Sequence, residues 1–341
     1  SAAKHVPRRT LMRLLIHETS YRRNQSEIDA HGDRLELLMV DEAGQVSLNG
    51  QPLSVDEAAP EAAWANADVF FGASARPFMT AALKSPNLKW VQSGAAGFDY
   101  PVFGQFVQKG AKLTTSHGQA VGMADYVLWG VLDAFQNGAG RRADQAAKRW
   151  EKQQFREVSD SRWLILGFGA IGRGVAQRAK AFGAHVTAVR RSPAADPLAD
   201  VVTTPDRFLD LLPDADVVVL AAPATPETHH IANAEAFGRM KPGAVFVNVG
   251  RGALVDESAL LAALDKGVPE HAVLDVFEVE PLPAESPFWA HPRVTLTPHA
   301  SGVTNGNVTR NDVLFVENLR RYLAGEALKN EADPKDVLAG G

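Results

Sequence analysis

Three short segments, far apart in the chain, each contain one ionisable residue in a context that could present it to a ligand. They are Arg251 after the apolar run Val245 to Val249, Glu280 in Phe-Glu-Val-Glu-Pro, and His299 in Thr-Pro-His-Ala. A guanidinium can bind a carboxylate in a bidentate manner and polarise the neighbouring carbonyl. An imidazole can exchange a proton with the carbonyl oxygen, and a carboxylate can orient that imidazole and keep it basic. Together these residue types predict acid-base chemistry on a 2-keto or 2-hydroxy acid.

Each of the three has a structural alternative. An isolated arginine can serve in a structural salt bridge, and a lone histidine can be a satisfied core or surface residue. One of Glu278 and Glu280, which flank Val279, must be solvated. The proline after Glu280 stiffens that loop and favours Glu280 as the positioned carboxylate. The Thr-Pro before His299 ends an apolar run and favours presentation of this imidazole at a sheet edge. We therefore predict that Arg251, Glu280 and His299 are catalytic.

A glycine-rich turn lies upstream, in Leu-Gly-Phe-Gly-Ala-Ile-Gly at 166–172. Gly167, Gly169 and Gly172 follow an apolar run and precede a helical pattern that continues to Phe182. Amides at the N-terminus of such a helix, together with its dipole, can hold a pyrophosphate. The turn predicts a dinucleotide site, and a hydride donor beside an acid-base pair predicts an oxidoreductase.

The residues after the second strand of this unit indicate which dinucleotide binds. NAD sites usually place an acidic residue about 20 positions after the glycines, where it accepts the ribose hydroxyls. This chain has Arg190, Arg191 and Ser192 there instead. Two guanidinium groups and a hydroxyl suit a 2′-phosphate, so we predict NADPH in preference to NADH. The alternative is a pair of solvated surface arginines, with NADH still possible.

Composition excludes several other classes. The chain has 341 residues, a net charge of -5, no cysteine and an apolar content of 45%. There is no long basic stripe for a nucleic acid, and neither thiolate ligands nor a histidine-glutamate motif for a metal. The basic start before Leu14-Leu15-Ile16 has too short an apolar part for a signal peptide, and no run approaches the length of a membrane span. A cytoplasmic location is the expectation.

Strand-like and helix-like runs alternate in two series, as in α/β folds. In the first series the predicted strands are 11–18, 35–40, 69–72, 88–92 and 112–116, with a surface hairpin at 45–53. In the second they are 163–166, 186–189, 217–221, 245–249 and 273–276. The nearly continuous apolar runs indicate parallel strands covered on both faces.

A long helix starting at Ala120 ends near Asn137-Gly138 and separates the two series. A second long helix, at about 307–323, has no strand after it, so we expect the tail to return to the first series. The predicted domains are 1–117 with 304–341, for substrate binding, and 118–303, for dinucleotide binding.

With these motifs in order, the chain resembles the D-isomer-specific 2-hydroxyacid dehydrogenase family, and the glyoxylate and hydroxypyruvate reductases in particular. The resemblance rests on the glycine turn and on the segments at 221–228, 240–252, 274–283 and 297–302. It implies a Rossmann domain inserted in a flavodoxin-like domain, both doubly wound parallel α/β, with a cleft between them and a homodimer built on the nucleotide domain. Trp150 would correspond to an aromatic residue that reaches the neighbouring subunit.

The resemblance also assigns site residues. Arg251, Glu280 and His299 match the catalytic trio, and the substrate carboxylate would meet Ala96 and Gly97, with Arg251 and His299. Contacts with the cofactor would involve Gly167, Gly169, Ala170, Ile171, Gly172, Arg190, Arg191, Ser192, Ala222, Pro223, Thr228, Val249, Gly250, Arg251, Asp275, His299 and Gly302, with Asp275 near the nicotinamide carboxamide.

Other readings of the same scaffold are less favoured. Formate dehydrogenases carry glutamine where Glu280 stands, and the chain is too short for the regulatory tail of many phosphoglycerate dehydrogenases. A nucleotide-sensing corepressor on this scaffold is the alternative from a different functional class. The predicted function is reduction of small 2-keto acids, such as glyoxylate or hydroxypyruvate, to D-2-hydroxy acids.

Overall fold

A computed structural model describes residues 11–65, 72–98 and 100–339. The chain divides into two compact units, Ser1–Gln119 with Asn305–Gly341, called unit 1, and Ala120–Thr304, called unit 2. The sequence analysis places the boundaries at 117/118 and 303/304. Within the described ranges, every helix is too short or too polar to cross a bilayer.

Unit 1 is built on a seven-stranded sheet in the order β4-β3-β2-β1-β5-β6-β7. The strands are β1 (Met12–His17), β2 (Leu35–Val40), β3 (Val46–Leu48), β4 (Gln51–Pro52), β5 (Ala62–Ala65), β6 (Trp90–Ser93) and β7 (Lys112–Thr114). The neighbours β2-β1, β1-β5, β5-β6 and β6-β7 pair in parallel. Strand β3 pairs with β2 and with β4 in antiparallel fashion. The parallel part therefore has the flavodoxin-like order 2-1-3-4-5.

The hairpin of β3 and β4 corrects one expectation. The sequence predicts a surface decoration at 45–53, but β3 extends the sheet and Val46 is buried in the core. Asn49 and Gly50 both have positive φ, as a tight hairpin turn requires. The strand predicted at 69–72 lies almost wholly outside the described residues, and the strand β5 was not predicted.

The helices of unit 1 are α1 (Glu18–Arg23), α2 (Gln25–Asp29), α3 (Ala75–Lys84), α4 (Pro101–Gln108), α11 (Asn305–Ala324) and α12 (Pro334–Ala339). Phe315 of α11 stacks on Trp64 of β5 with ring centroids 4.2 Å apart. The chain after α11 runs beside β7, where the amide of Ala332 donates to the carbonyl of Leu113 at 2.8 Å. The C-terminal segment thus contributes to the core of unit 1.

Unit 2 has an all-parallel sheet in the order β10-β9-β8-β11-β12-β13-β14. The strands are β8 (Arg162–Leu166), β9 (His185–Val189), β10 (Val201–Thr203), β11 (Val217–Leu220), β12 (Val245–Asn248), β13 (His271–Leu274) and β14 (Val294–Leu296). The strands β8 to β13, numbered 1 to 6 along the chain, follow the Rossmann order 3-2-1-4-5-6. The short strand β10 was not predicted.

The helices of unit 2 are α5 (Ala120–Phe135), α6 (Gly138–Ala146), α7 (Ala170–Ala181), α8 (Phe208–Leu211), α9 (Ala234–Arg239) and α10 (Glu257–Asp265). The continuous apolar run of β11 has a simple cause. Val217 and Val219 join one buried cluster and Val218 and Leu220 the other, so both sheet faces are covered. Parallel pairing brings the carboxyl ends of all seven strands to one edge of the sheet, where ligands of such folds bind.

Candidate active site

The three predicted catalytic residues lie at the carboxyl edge of neighbouring strands. Arg251 follows β12, Glu280 lies in the loop after β13, and His299 follows β14. Because β12, β13 and β14 pair in parallel, their following loops meet at one end of the sheet.

His299 and Glu280 are directly paired. His299 Nδ1 lies 2.7 Å from Glu280 Oε2, and both side chains are partly exposed. The other carboxylate oxygen of Glu280 accepts the amide of Phe277 at 3.0 Å, which holds the carboxylate in place. With Nδ1 engaged, Nε2 is the ring atom left to exchange a proton with a ligand.

A buried carboxylate supports the backbone of His299. Asp275 is 1% exposed, and its Oδ1 accepts the amides of Ala300 at 2.8 Å and Ser301 at 3.1 Å. Its Oδ2 accepts the hydroxyl and the amide of Ser301. The carbonyl of Asp275 accepts the amide of His299 at 2.8 Å, and His299 adopts φ 50. Hydrogen bonds to a carboxylate are stronger than those between neutral groups, so they fix the loop that carries His299.

Asp275 has a structural role in the loop that carries His299. Its contact with the nicotinamide carboxamide stays a prediction of the sequence. Thr297 Oγ1 is also 2.5 Å from Asp275 Oδ1 and 2.8 Å from the Tyr126 hydroxyl of α5. Burial, with the nearby Asp275 charge, raises the pKa of Tyr126 to about 12. Tyr126 therefore stays protonated at neutral pH and completes the polar support of this loop.

Arg251 is positioned by a buried amide at the end of β12. Asn248 is 1% exposed, and its Nδ2 donates to the carbonyl of Arg251 at 2.9 Å while its Oδ1 accepts the amide of Gly250 at 3.1 Å. Arg251 Nη1 donates to the carbonyl of Gly250 at 2.9 Å. A Cβ on Gly252 would lie 1.9 Å from the backbone of Phe277. Glycine at 252 thus lets the Arg251 loop approach the loop that carries Glu280.

The glycine-rich turn has the geometry of a dinucleotide cradle. Gly167 has φ +93, and a Cβ there would lie 2.5 Å from the backbone at Ala221. A Cβ on Gly172 would lie 2.1 Å from the carbonyl oxygen of Gly167, which shows close packing of α7 on β8. A Cβ on Gly169 would meet nothing within 4 Å, and no side chain caps the N-terminus of α7, where Ala170 and Ile171 begin the helix. Within the part of the chain that the structure describes, no side chain accepts the first amides of α7, so the turn has room and donors for a pyrophosphate.

The predicted 2′-phosphate residues follow β9. Arg191 and Ser192 are exposed, while the Arg190 side chain turns toward Ala194 and Asp196. Arg190 Nε is buried and has no hydrogen-bond partner among the described residues. The exposed Arg191 guanidinium and Ser192 hydroxyl, beside the charge of Arg190, fit a site for an anion.

The remaining predicted cofactor residues also lie at this edge. Ala222 and Pro223 follow β11, Val249 and Gly250 follow β12, and Gly302 follows the His299 loop. Thr228 is used locally, because its hydroxyl donates to the carbonyl of Pro223 at 2.8 Å and accepts the amide of Thr225 at 2.8 Å. The side chain of Thr228 therefore shapes the loop after β11.

Comparison with known proteins identifies the family. Residues 128–301 match the family model described as D-isomer specific 2-hydroxyacid dehydrogenase, NAD binding domain. The chain is 33% identical over 305 residues to glyoxylate/hydroxypyruvate reductase B of Escherichia fergusonii, covering 85% of this chain and 91% of the relative. The chain belongs to the D-isomer-specific 2-hydroxyacid dehydrogenase family.

Solved structures agree with this assignment. A D-isomer-specific 2-hydroxyacid dehydrogenase family protein from Aeromonas salmonicida is 30% identical, with a TM-score of 0.78, and the match covers 95% of this chain and 99% of that one. A second, from Xanthobacter autotrophicus in complex with NADPH and MES, is 29% identical, with a TM-score of 0.74 and coverage of 96% and 99%. The predicted family, fold class and nicotinamide dinucleotide cofactor are thus confirmed for this dehydrogenase.

Sequence reasoning missed several residues that support the site in this dehydrogenase. Asn248 could have been noticed, since it is a polar residue within an apolar strand that precedes a Gly-Arg turn. Tyr126 had no such signal, because it comes from a helix far away in sequence. Asp196 had no signal either, because it lies four residues beyond Ser192, outside the segment where NAD sites place their acidic residue.

Proposed function

We propose that this protein reduces small 2-keto acids, such as glyoxylate and hydroxypyruvate, to D-2-hydroxy acids with NADPH. The observation that carries the proposal is the 2.7 Å pair of His299 and Glu280, at the sheet edge that also presents the glycine-rich turn. The similarity to a glyoxylate/hydroxypyruvate reductase supports the substrate class.

In the proposed reaction His299 is the general acid. The nicotinamide, when bound, supplies a hydride to the carbonyl carbon, and negative charge then develops on the carbonyl oxygen. His299 donates the proton on Nε2 to that oxygen. Glu280 accepts the Nδ1 proton in a hydrogen bond and stabilises the imidazolium before the transfer. In the opposite direction neutral His299 accepts the hydroxyl proton.

Arg251 is proposed to bind the substrate carboxylate and to polarise the adjacent carbonyl. Its place after Gly250 on a strand end suits this role, because the backbone can pass close to a ligand there. The amides of Ala96 and Gly97, which the resemblance assigns to substrate binding, are proposed as further donors to the carboxylate. Within 11–65, 72–98 and 100–339, neither amide has a hydrogen-bond acceptor.

NADPH is the proposed coenzyme because Arg190, Arg191 and Ser192 offer positive charge and a hydroxyl donor at the end of β9. The pyrophosphate would lie over Gly169 and the first amides of α7. A homodimer built on unit 2 is also proposed, and the exposed side chains of Val121, Trp129 and Trp150 are consistent with it. A cytoplasmic location stays a prediction of the sequence.

Two glycine substitutions separate cofactor binding from stability. Gly172→Ala places a methyl group against the Gly167 carbonyl, so we expect the free energy of unfolding to fall by about 1–3 kcal/mol, as for overpacking. Gly169→Ala meets no protein atom within 4 Å, so stability should change by less than about 0.5 kcal/mol while the Kd for NADPH rises. Denaturant unfolding of the free protein and NADPH fluorescence titration measure both. Unchanged NADPH affinity in Gly169→Ala would contradict the proposed cradle.

The function is tested by following nicotinamide absorbance. Protein is mixed with NADPH or NADH and, in turn, with glyoxylate, hydroxypyruvate, pyruvate and a bulky aromatic 2-keto acid. We expect turnover with the small acids and a higher kcat/KM with NADPH than with NADH. A folded protein that binds NADPH but reduces none of these acids would refute the proposal and favour a nucleotide-binding regulator.

A further inference from the structure

One carboxylate in unit 2 lies between two arginines. The Asp196 side chain is only 3% exposed and lies in the loop between β9 and β10. Arg173, in the first turns of α7, makes a direct ion pair from Nη1 to Asp196 Oδ2. Arg190 Nη1 is 3.7 Å from the same oxygen. The trio therefore carries one net positive charge, and the shorter of the two contacts is to Arg173.

Other contacts fix the geometry of this trio. Asp196 Oδ1 accepts the amide of Leu198 at 3.0 Å, so the carboxylate cannot turn freely. Arg190 is tied through its backbone amide to the carbonyl of Thr203 at 3.0 Å and through its guanidinium to the carbonyl of Ala194. Arg190 is thus oriented by a neutral carbonyl, with its Nε buried and without a partner among the described residues.

We propose that Arg173 acts as a positioning residue for coenzyme selection. It compensates the charge of Asp196, so that the positive charge of Arg190 stays available to a 2′-phosphorylated nucleotide. This inference rests on the proposed use of NADPH. Asp196 lies beside Arg190, and a carboxylate with no other cationic partner would form a full ion pair with that guanidinium. Arg173 prevents this, because its guanidinium lies closer to the Asp196 carboxylate than the guanidinium of Arg190 does.

The consequence of removing Arg173 follows from the charges. In Arg173→Gln the Asp196 carboxylate keeps Arg190 as its cationic partner among the described residues, and the two charges cancel. The 2′-phosphate then meets a neutral pair in place of a cation and loses a charge-assisted hydrogen bond. Replacing Asp196 with asparagine in the same chain removes the competing carboxylate, so the charge of Arg190 is again available to the 2′-phosphate.

The test measures nucleotide binding to the intact protein by calorimetry, with 2′,5′-ADP and 5′-AMP as probes. The readout is the ratio of their Kd values, which isolates the 2′-phosphate from the rest of the nucleotide. We expect Arg173→Gln to lower the preference for 2′,5′-ADP by roughly tenfold, and Arg173→Gln/Asp196→Asn to restore it to within about threefold of the unsubstituted protein. The affinity for 5′-AMP should stay nearly constant and shows that the site is folded.

A matched control is available on the same helix. Arg178 of α7 also pairs with an aspartate, Asp125, and Arg178→Gln should leave the ratio unchanged. An unsubstituted protein with no preference for 2′,5′-ADP would overturn the proposed coenzyme and this inference with it. A clear preference that Arg173→Gln does not reduce, or that the double variant does not regain, would overturn the inference alone.

Discussion

His299→Ala is expected to lower kcat for a small 2-keto acid by about 100- to 10,000-fold, the usual range for loss of a general acid. The physical reason is that the developing oxyanion then has no proton donor in the site. NADPH affinity should change little, since the imidazole contributes mainly to the chemical step. The measurement is steady-state kinetics at saturating NADPH, together with a fluorescence titration of NADPH binding.

A second histidine-glutamate pair provides the control. His230 Nε2 contacts Glu278 Oε1, and both side chains are about as exposed as those of His299 and Glu280. His230→Ala removes the same kind of histidine–carboxylate contact without touching the proposed general acid, so kcat should stay within about twofold. Comparable losses in the two variants would mean that the effect comes from loop stability, and full activity of His299→Ala would remove the proposed mechanism.

Arg251→Ala is expected to raise the KM for the keto acid by roughly 10- to 150-fold. A hydrogen bond to a charged group contributes about 1.5–3 kcal/mol, and about 1.4 kcal/mol corresponds to a factor of ten. The reason is the loss of the cation that binds the substrate carboxylate. kcat should fall less than KM rises, because Arg251 holds the ground state as well as the transition state.

The matched control for Arg251 is Arg239→Ala on α9. Arg239 forms an exposed ion pair with Glu235 at 2.7 Å, and pairs of this kind contribute little to stability. This variant should have the KM of the unsubstituted protein, when both are measured over a keto-acid titration at saturating NADPH. An unchanged KM in Arg251→Ala would show that the carboxylate binds elsewhere.

Much of the fold could be predicted because burial is visible in the apolar pattern. The runs at 163–166, 186–189, 217–221 and 245–249 became β8, β9, β11 and β12 within one residue at each end, since parallel strands covered on both faces need apolar side chains throughout. Strands with few buried side chains were not predicted. β10 has only three residues, all exposed or half-buried, so its hydrophobic signal is weak.

The site could be predicted only in part, for a related reason. His299 and Glu280 were recognised because each lies in a short motif, and the 2.7 Å contact between them bears out their pairing. The role of Asp275 was not visible, because its four donors, the hydroxyls of Thr297 and Ser301 and the amides of Ala300 and Ser301, come from a loop more than 20 residues away. Hydrogen bonds to a buried carboxylate leave no periodic pattern in the chain.

By itself the sequence determined the family, the two α/β series and the residue types of the proposed site, because motifs and apolar runs are local. Only the tertiary structure decided how those residues are held. It shows Asp275 fixing the His299 loop, Asn248 fixing the Arg251 turn, and Asp196 lying between Arg173 and Arg190. The physical reason is that the Asp275 and Arg173–Asp196 contacts join residues more than 20 positions apart, which meet only in the folded chain, and that the local Asn248 turn depends on burial at the end of a covered strand.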